Sequence, residues 1–269
     1  MEKARVLFVE QAIMPYLKET PMSRIGRYLP QGIQEKGKEI RTFMPRFGNI
    51  NERRNQLHEV IRLSGMNLII NDTDHPLIIK VASIQQARMQ IYFIDNEDFF
   101  HRKFTIRDKA NKFYPDNDER SVFFSRGVLE TVKKLGWGPD IVHCHGWLSA
   151  LVPLYVKRAY KDNPLFSDAK VVYSVYDDDF SESFRKEFDK KIKLPGITAK
   201  DLKYYKDVNY LSLTKAAIDY ADAVIIGSEK INPELEAYIS TLNKPVLPFQ
   251  NEETYVDAYN TFYDSLLEK

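Results

Sequence analysis

The stretch "DIVHCHGWLSALVPLYVK", Asp140 to Lys157, runs from an apolar strand through two histidines and a Gly-Trp into an apolar helical segment. A strand with no polar side reads as buried on both faces, which is the mark of a parallel sheet sandwiched between helices. The same pattern recurs downstream in "KVVYSVY" and "DAVIIGS", with helical sequence between the strands. Upstream, "RVLFVEQ" (Arg5 to Gln11) reads as a buried first strand. From Ile25 to Lys36, apolar residues at Ile25, Tyr28, Leu29 and Ile33 have helical spacing, with Pro30 predicted as a kink or boundary. "EIRTFMP" (Glu39 to Pro45) alternates as the next strand, which completes a right-handed βαβ unit. Between Met66 and Asp95, three strand-like runs follow one another without helices and predict a β-rich meander. The polar and aromatic segment after it has no period and is expected to be a surface excursion, followed by a helix over Glu119 to Leu135. The fold class is therefore α/β, a parallel sheet covered by helices on both faces.

Bulk properties narrow the function. The chain has 269 residues and carries 39 Lys+Arg against 38 Asp+Glu, a formal net charge of +1. That balance supplies no electrostatic footprint for nucleic acid or an acidic membrane. The single cysteine, Cys144, allows no internal disulfide and fits a reducing compartment. The N-terminal apolar run is too short for a signal peptide, and no run approaches the ~18 apolar residues of a membrane span. The expectation is a cytoplasmic globular protein without nucleic-acid or membrane partners.

Ligands of such a sheet bind at the carboxyl ends of its strands. His143 and His145 share one face of their strand, while Cys144 points the other way and has no activating neighbour on its own side. The pair reads as a packed strand end with histidines bonded to the backbone, or as a sugar- or phosphate-binding end. A metal site is not expected, because no third ligand is suitably spaced. Trp147 either stacks on a sugar ring or caps a helix from inside the core. In the loop after the first strand, Lys18 stands before Thr20-Pro21, and Pro21 has no N–H to offer an anion. "YDDDF", Tyr176 to Phe180, brings Asp177 and two further carboxylates to the next strand end, which reads as a charged, solvated loop, with a divalent-metal site or a clamp for sugar hydroxyls as the alternatives.

The order of these motifs is similar to that of a known family. Lys18-Glu19-Thr20-Pro21 stands where the family has Lys-x-Gly-Gly, followed by Leu29-Pro30 and Met44-Pro45-Arg46-Phe47-Gly48. "IDNEDFFHR", "YPDNDERSVFFSRGVLE", "PDIVHCHGWLSALVPLYVK" and "VNYLSLTKAAIDYADAVIIGSEK" resemble its Asp-rich loop, the helix after it, its His-x-His-Asp-Trp-His strand and its Asn-x-x-Lys helix with the final strand. The chain resembles the N-terminal domain of bacterial glycogen synthases and plant starch synthases, retaining glycosyltransferases that use ADP-glucose. The resemblance runs to about Lys230. It implies a Rossmann-like domain, half of the two-domain GT-B architecture, with an α-glucan or ADP-glucose as ligand and no separate cofactor.

Against that pattern, the glycine pair is Thr20-Pro21, and the aspartate of the following helix is Arg24. The aspartate and last histidine of His-Asp-Trp-His are Gly146 and Leu148. The Thr-Val-His-Asn strand end, whose histidine lies against the reacting glucose in the family, is Ser174-Val175-Tyr176-Asp177. Nothing after Lys230 reads as the second Rossmann domain. Residues 1–250 are expected to form the synthase-like domain. Residues 251–269 are expected to form a C-terminal helix packed on it, with Tyr255, Ala258, Tyr259, Phe262 and Leu266 on one face. These departures predict a non-catalytic glucan-binding or regulatory domain, with no catalytic residue assigned. Lys18, His143, His145, Trp147 and Asp177 are its candidate ligand contacts. The alternatives are an active ADP-glucose glucosyltransferase, or one half of a split or oligomeric transferase that meets a protein partner or a second copy through the uncovered face.

Overall fold

The computed structural model describes residues 3–268. Seven parallel strands form the body of one sheet: β1 (Arg5–Glu10), β2 (Glu39–Pro45), β6 (Met89–Asp95), β7 (Ile141–His145), β8 (Lys170–Val175), β9 (Ala223–Ile226) and β10 (Val246–Leu247). The meander adds β3 (His58–Glu59), β4 (Met66–Ile70) and β5 (Thr73–Ile84), all paired antiparallel. The spatial order is β10-β9-β8-β7-β1-β2-β6-β5-β3, with β4 on β5. The longer helices are α1 (Pro21–Glu35), α2 (Asn117–Leu135), α3 (Tyr210–Tyr220), α4 (Pro233–Ser240) and α5 (Tyr255–Leu267).

Pairing puts Phe8 opposite His143, Glu10 opposite His145, and His145 opposite Ser174. Since side chains alternate along a strand, these residues share one face with Val6, Ile141 and Val172. That face is covered by Leu29 and Ile33 of α1 and by Tyr255, Tyr259, Tyr263 and Leu266 of α5. The opposite face, with Leu7, Val9, Val142, Cys144 and Tyr173, belongs to the larger core under α2 and α3.

Three details differ from the sequence expectations. Helix α1 begins at Pro21, not Ile25, and runs unbroken through Pro30. Thr20 and Ser23 form a capping box, and a proline at the first helical position loses no intrahelical bond. The excursion after β6 is not simply a surface loop: Phe99, Phe100 and Phe113 are buried in the core. The inward stripe of the last helix is Tyr255–Tyr259–Tyr263–Leu266, with Phe262 only half-buried at its margin. No helix among the described residues is long and apolar enough to cross a membrane.

Candidate functional site

From β1 the chain builds outward to β2 and β6 on one side, then returns to β7, β8, β9 and β10 on the other. The reversal lies between β1 and β7, and a crevice opens there at the carboxyl ends of the strands. A cleft of about 1370 Å³ occupies this position. Lys18, Thr20, Pro21, Arg24, Tyr176 and Asp177 all line it. The structure thus brings together six of the residues singled out in the sequence. His143, His145, Trp147 and Leu148 are fully buried behind it.

The start of α1 offers little to an anion. Pro21 has no N–H, and the Ser23 N–H donates to the Thr20 hydroxyl at 3.1 Å. The Ser23 hydroxyl in turn stands 2.8 Å from the Thr20 N–H and accepts from it. Of the first three helical residues only Met22 keeps an uncommitted N–H, where an anion site would need several. Arg24 is also engaged: its guanidinium donates to Glu19 at 2.5 Å and to Glu252 at 3.0 Å, which holds its pKa above the usual value. Lys18 is exposed, and none of the described residues pairs with its ammonium group.

The two histidines form a buried relay instead of bonding to the backbone. His145 Nδ1 lies 2.7 Å from the Tyr176 hydroxyl. His143 uses both ring nitrogens, Nδ1 at 2.6 Å from the Tyr263 hydroxyl and Nε2 at 2.7 Å from the Ser174 hydroxyl. The rings lie 3.8 Å apart, centroid to centroid. Burial removes the hydration that would stabilise imidazolium, so it lowers the pKa of both and brings His145 to about 3. With both nitrogens of His143 occupied by hydroxyls, the pair is a neutral packing element, not a metal ligand set. Glu10 is also fully buried, with a carboxylate oxygen 3.4 Å from His145 Nε2, and desolvation pushes its pKa well above the ordinary carboxyl value.

Tyr176 forms the wall between this relay and the cleft. Its ring packs where a β-carbon on Gly227 would sit, 2.8 Å away, so the glycine after β9 makes room for it. Asp178 is part-exposed as a residue, but its carboxylate turns inward. There it accepts from the Trp147 N–H at 3.0 Å and the Tyr210 hydroxyl at 2.8 Å. Desolvation outweighs these bonds and pushes its pKa up to about 6. Asp177 remains exposed. The Trp147 ring sits among Phe113, Phe180 and Phe184, away from the cleft wall.

This arrangement finds its context in a family comparison. The family model described as the starch synthase catalytic domain matches residues 5–241. The chain belongs to that family. Among starch synthase catalytic domain relatives, the glycogen synthase of Chlorobium limicola is 38% identical over 173 residues, which cover 64% of this chain and 35% of that protein. The glycogen synthase of Chlorobaculum tepidum is 34% identical over 268 residues, covering 97% of this chain and 52% of that one. The chain thus spans between about a third and a half of these relatives. The catalytic domain of starch synthase IV from Arabidopsis thaliana, bound to ADP and acarbose, superposes with a TM-score of 0.73 at 17% identity over 93% of this chain and 52% of that one.

Several residues of this site escaped the sequence reading. Glu10 is in phase with Val6 and Phe8, a signal that could have exposed it as an inward-facing acid. Gly227 and the inward turn of Asp178 have no local signature, since each depends on Tyr176 or Tyr210 arriving from elsewhere. Gly146 has φ 80° and ψ 163°, a region essentially confined to glycine, and a β-carbon there would lie 2.7 Å from Gln11 Oε1. Introducing the aspartate of the family pattern, Gly146→Asp, is therefore expected to destabilise the domain by about 1–3 kcal/mol. Urea unfolding checks this; an unchanged midpoint would show that the loop rearranges freely.

Proposed function

We propose that this chain is a glucan-binding domain of the starch and glycogen synthase type that does not itself transfer glucose, acting in the cytoplasm. The observation that carries the reading is the strand end at Tyr176. The family resemblance puts a histidine against the reacting glucose there. In this chain a larger ring occupies the position, with its hydroxyl 2.7 Å from His145, both residues buried. Transfer from ADP-glucose needs the leaving diphosphate to be stabilised, an electrostatic task for aimed donors. On this side of the cleft the α1 N–H groups are largely committed and Arg24 is neutralised by two carboxylates.

The test is incorporation of radiolabelled glucose from ADP-glucose into glycogen by the purified chain. No incorporation is expected, and none from the combined variant Thr20→Gly, Pro21→Gly, Arg24→Asp, Tyr176→His. Label incorporated by the unmodified chain would overturn the proposal. Label incorporated only by the variant would mean that these four positions alone silence it.

A further inference from the structure

Glu10 closes β1 as a fully buried acid. Among the described residues, neither of its carboxylate oxygens has a hydrogen-bond partner, and His145 Nε2, also fully buried, has none either. These unpartnered groups face each other: Oε1 lies 3.4 Å from Nε2, slightly long for a hydrogen bond. Oε2 lies 3.1 Å from where a β-carbon on Gly26 would sit, so α1 closes over it at a position without a side chain. The strand register brings acid and imidazole together, because Glu10 and His145 are opposite each other on adjacent parallel strands. The other ring nitrogen of His145 reaches the Tyr176 hydroxyl at 2.7 Å, and Tyr176 lines the cleft. Glu10, His145 and Tyr176 thus form a line from the core to the cleft wall.

The elements around Glu10 bring it no cation. On α1, Arg24 is paired with Glu19 and Glu252, and Arg27 donates to Gln31. On α5, Tyr259 and Tyr263 are phenols, and Asp264 is itself an acid, paired with Lys38. On β7, both ring nitrogens of His143 are taken by the Tyr263 and Ser174 hydroxyls, and Cys144 belongs to the opposite face. Beyond β8, the Asp178 carboxylate turns to Trp147 and Tyr210. Burial therefore acts alone on Glu10 and raises its pKa well above the ordinary carboxyl value. A carboxyl in such surroundings keeps its proton, since an unpaired buried charge is far costlier than a neutral acid. That proton also satisfies both unpartnered groups. The Glu10 O–H donates to Nε2, which leaves the ring proton on Nδ1 to be donated to the Tyr176 oxygen. Release of the Glu10 proton to solvent would leave a carboxylate against the Nε2 lone pair. The ring would then carry its own proton on Nε2, and the Tyr176 hydroxyl would become the donor to Nδ1.

We infer that the folded domain holds one resident proton between Glu10 and His145 at neutral pH, and that this proton sets the direction of the hydrogen bond fixing Tyr176 in the cleft wall. The proton site holds whether or not the chain binds glucan or transfers glucose. Above the ordinary carboxyl pKa the unfolded chain has released this proton and the folded chain has not. Stability therefore falls as pH rises, until the folded chain releases the proton too. Glu10→Gln keeps a donor for Nε2 and cannot ionise. Urea unfolding of the full chain and of Glu10→Gln between about pH 5 and pH 8 reads the difference. A proton held only in the folded state changes the folding constant by about tenfold per pH unit. Across the range, the folding constant of the unmodified chain is expected to fall tenfold or more relative to that of Glu10→Gln. Asp178, whose carboxyl desolvation also lifts to about 6, contributes to both proteins alike and cancels in the ratio. A ratio that changes by less than tenfold would overturn the inference. Nitrogen NMR of the histidine rings in the unmodified chain needs no variant and stands even if Glu10→Gln folds poorly. His145, identified by its contact with the Tyr176 ring, is expected to carry its proton on Nδ1, with Nε2 bare, at neutral pH. A proton on Nε2 would overturn the inference whatever the variant does.

Discussion

Removing residues 252–269 is expected to unfold the domain. The deletion takes away Tyr255, Tyr259, Tyr263 and Leu266, which are buried against Val6, Phe8, Ile141 and Val172 of the central strands. Burying an apolar side chain of this size contributes about 1.5–3 kcal/mol, an upper figure because the denatured chain already hides some of its surface. Four such losses compare with a total stability of about 5–15 kcal/mol for a typical domain. Two further penalties act in the same direction. His143 loses the Tyr263 hydroxyl at 2.6 Å, and the apolar face beneath is wetted. Of the ion pairs that tie the C-terminal segment to α1 and the turn after it, Arg24–Glu252 and Lys36–Asp257 add little because they are largely exposed, while Lys38–Asp264 is more sheltered on the lysine side. Circular dichroism and a thermal melt check the result. A truncated chain that stays folded with an unchanged melting temperature would mean that α5 is a detachable tail.

Trp147→Ala is expected to cost about 3–5 kcal/mol of stability, the usual range for emptying a buried aromatic position. The side chain is fully buried and meets Phe113, Phe180 and Phe184. Its backbone N–H holds Asp178, so collapse around the vacancy also disturbs the inward turn of that carboxylate. The expected signature is a lower urea midpoint with maltoheptaose affinity preserved wherever the variant is folded. Lost affinity with unchanged stability would instead make Trp147 a ligand contact. The distinction matters because its position after the two histidines invites a sugar-stacking role, whereas its ring is enclosed by Phe113, Phe180 and Phe184.

The fold was legible in the sequence because near-continuous apolar strands separated by helical spacing have few packing solutions. Each of "RVLFVE", "DIVHCH" and "KVVYSV" is locally consistent with a strand buried on both faces, and no distant residue is needed to read it. The site was only partly legible. Thr20-Pro21 reads in the sequence as a poor phosphate cradle, and in the structure the same residues are a helix start, with Ser23 completing the cap. Tyr176 does lie beside His145, as its position at the strand end suggested. The partners of the histidines were not legible, because Tyr263 reaches His143 from 120 residues further along the chain. The one-residue shift from Phe262 to Tyr263 has a simple cause. Spacing of four carries Tyr255, Tyr259 and Tyr263 along one stripe, and hydrophobicity alone favours the phenylalanine next to it.

The contact between β1 and α5 also bears on how the chain reaches this state during synthesis. Phe8 leaves the ribosome near the beginning and Tyr263 near the end of the described residues, yet their rings lie 6.5 Å apart. Domains generally fold as units, and contacts remote in sequence close late because the intervening chain must first be ordered. Until α5 emerges, the part of the sheet face around Phe8 and His143 that α1 leaves uncovered stays open to water and to other nascent chains. This window is prolonged by the position of β1, whose neighbours β2 and β7 are made before α5, the element that follows every strand among the described residues. Slow translation of the segment between β9 and α5 would lengthen the exposure, so this face is where a holdase chaperone would find the unfinished domain.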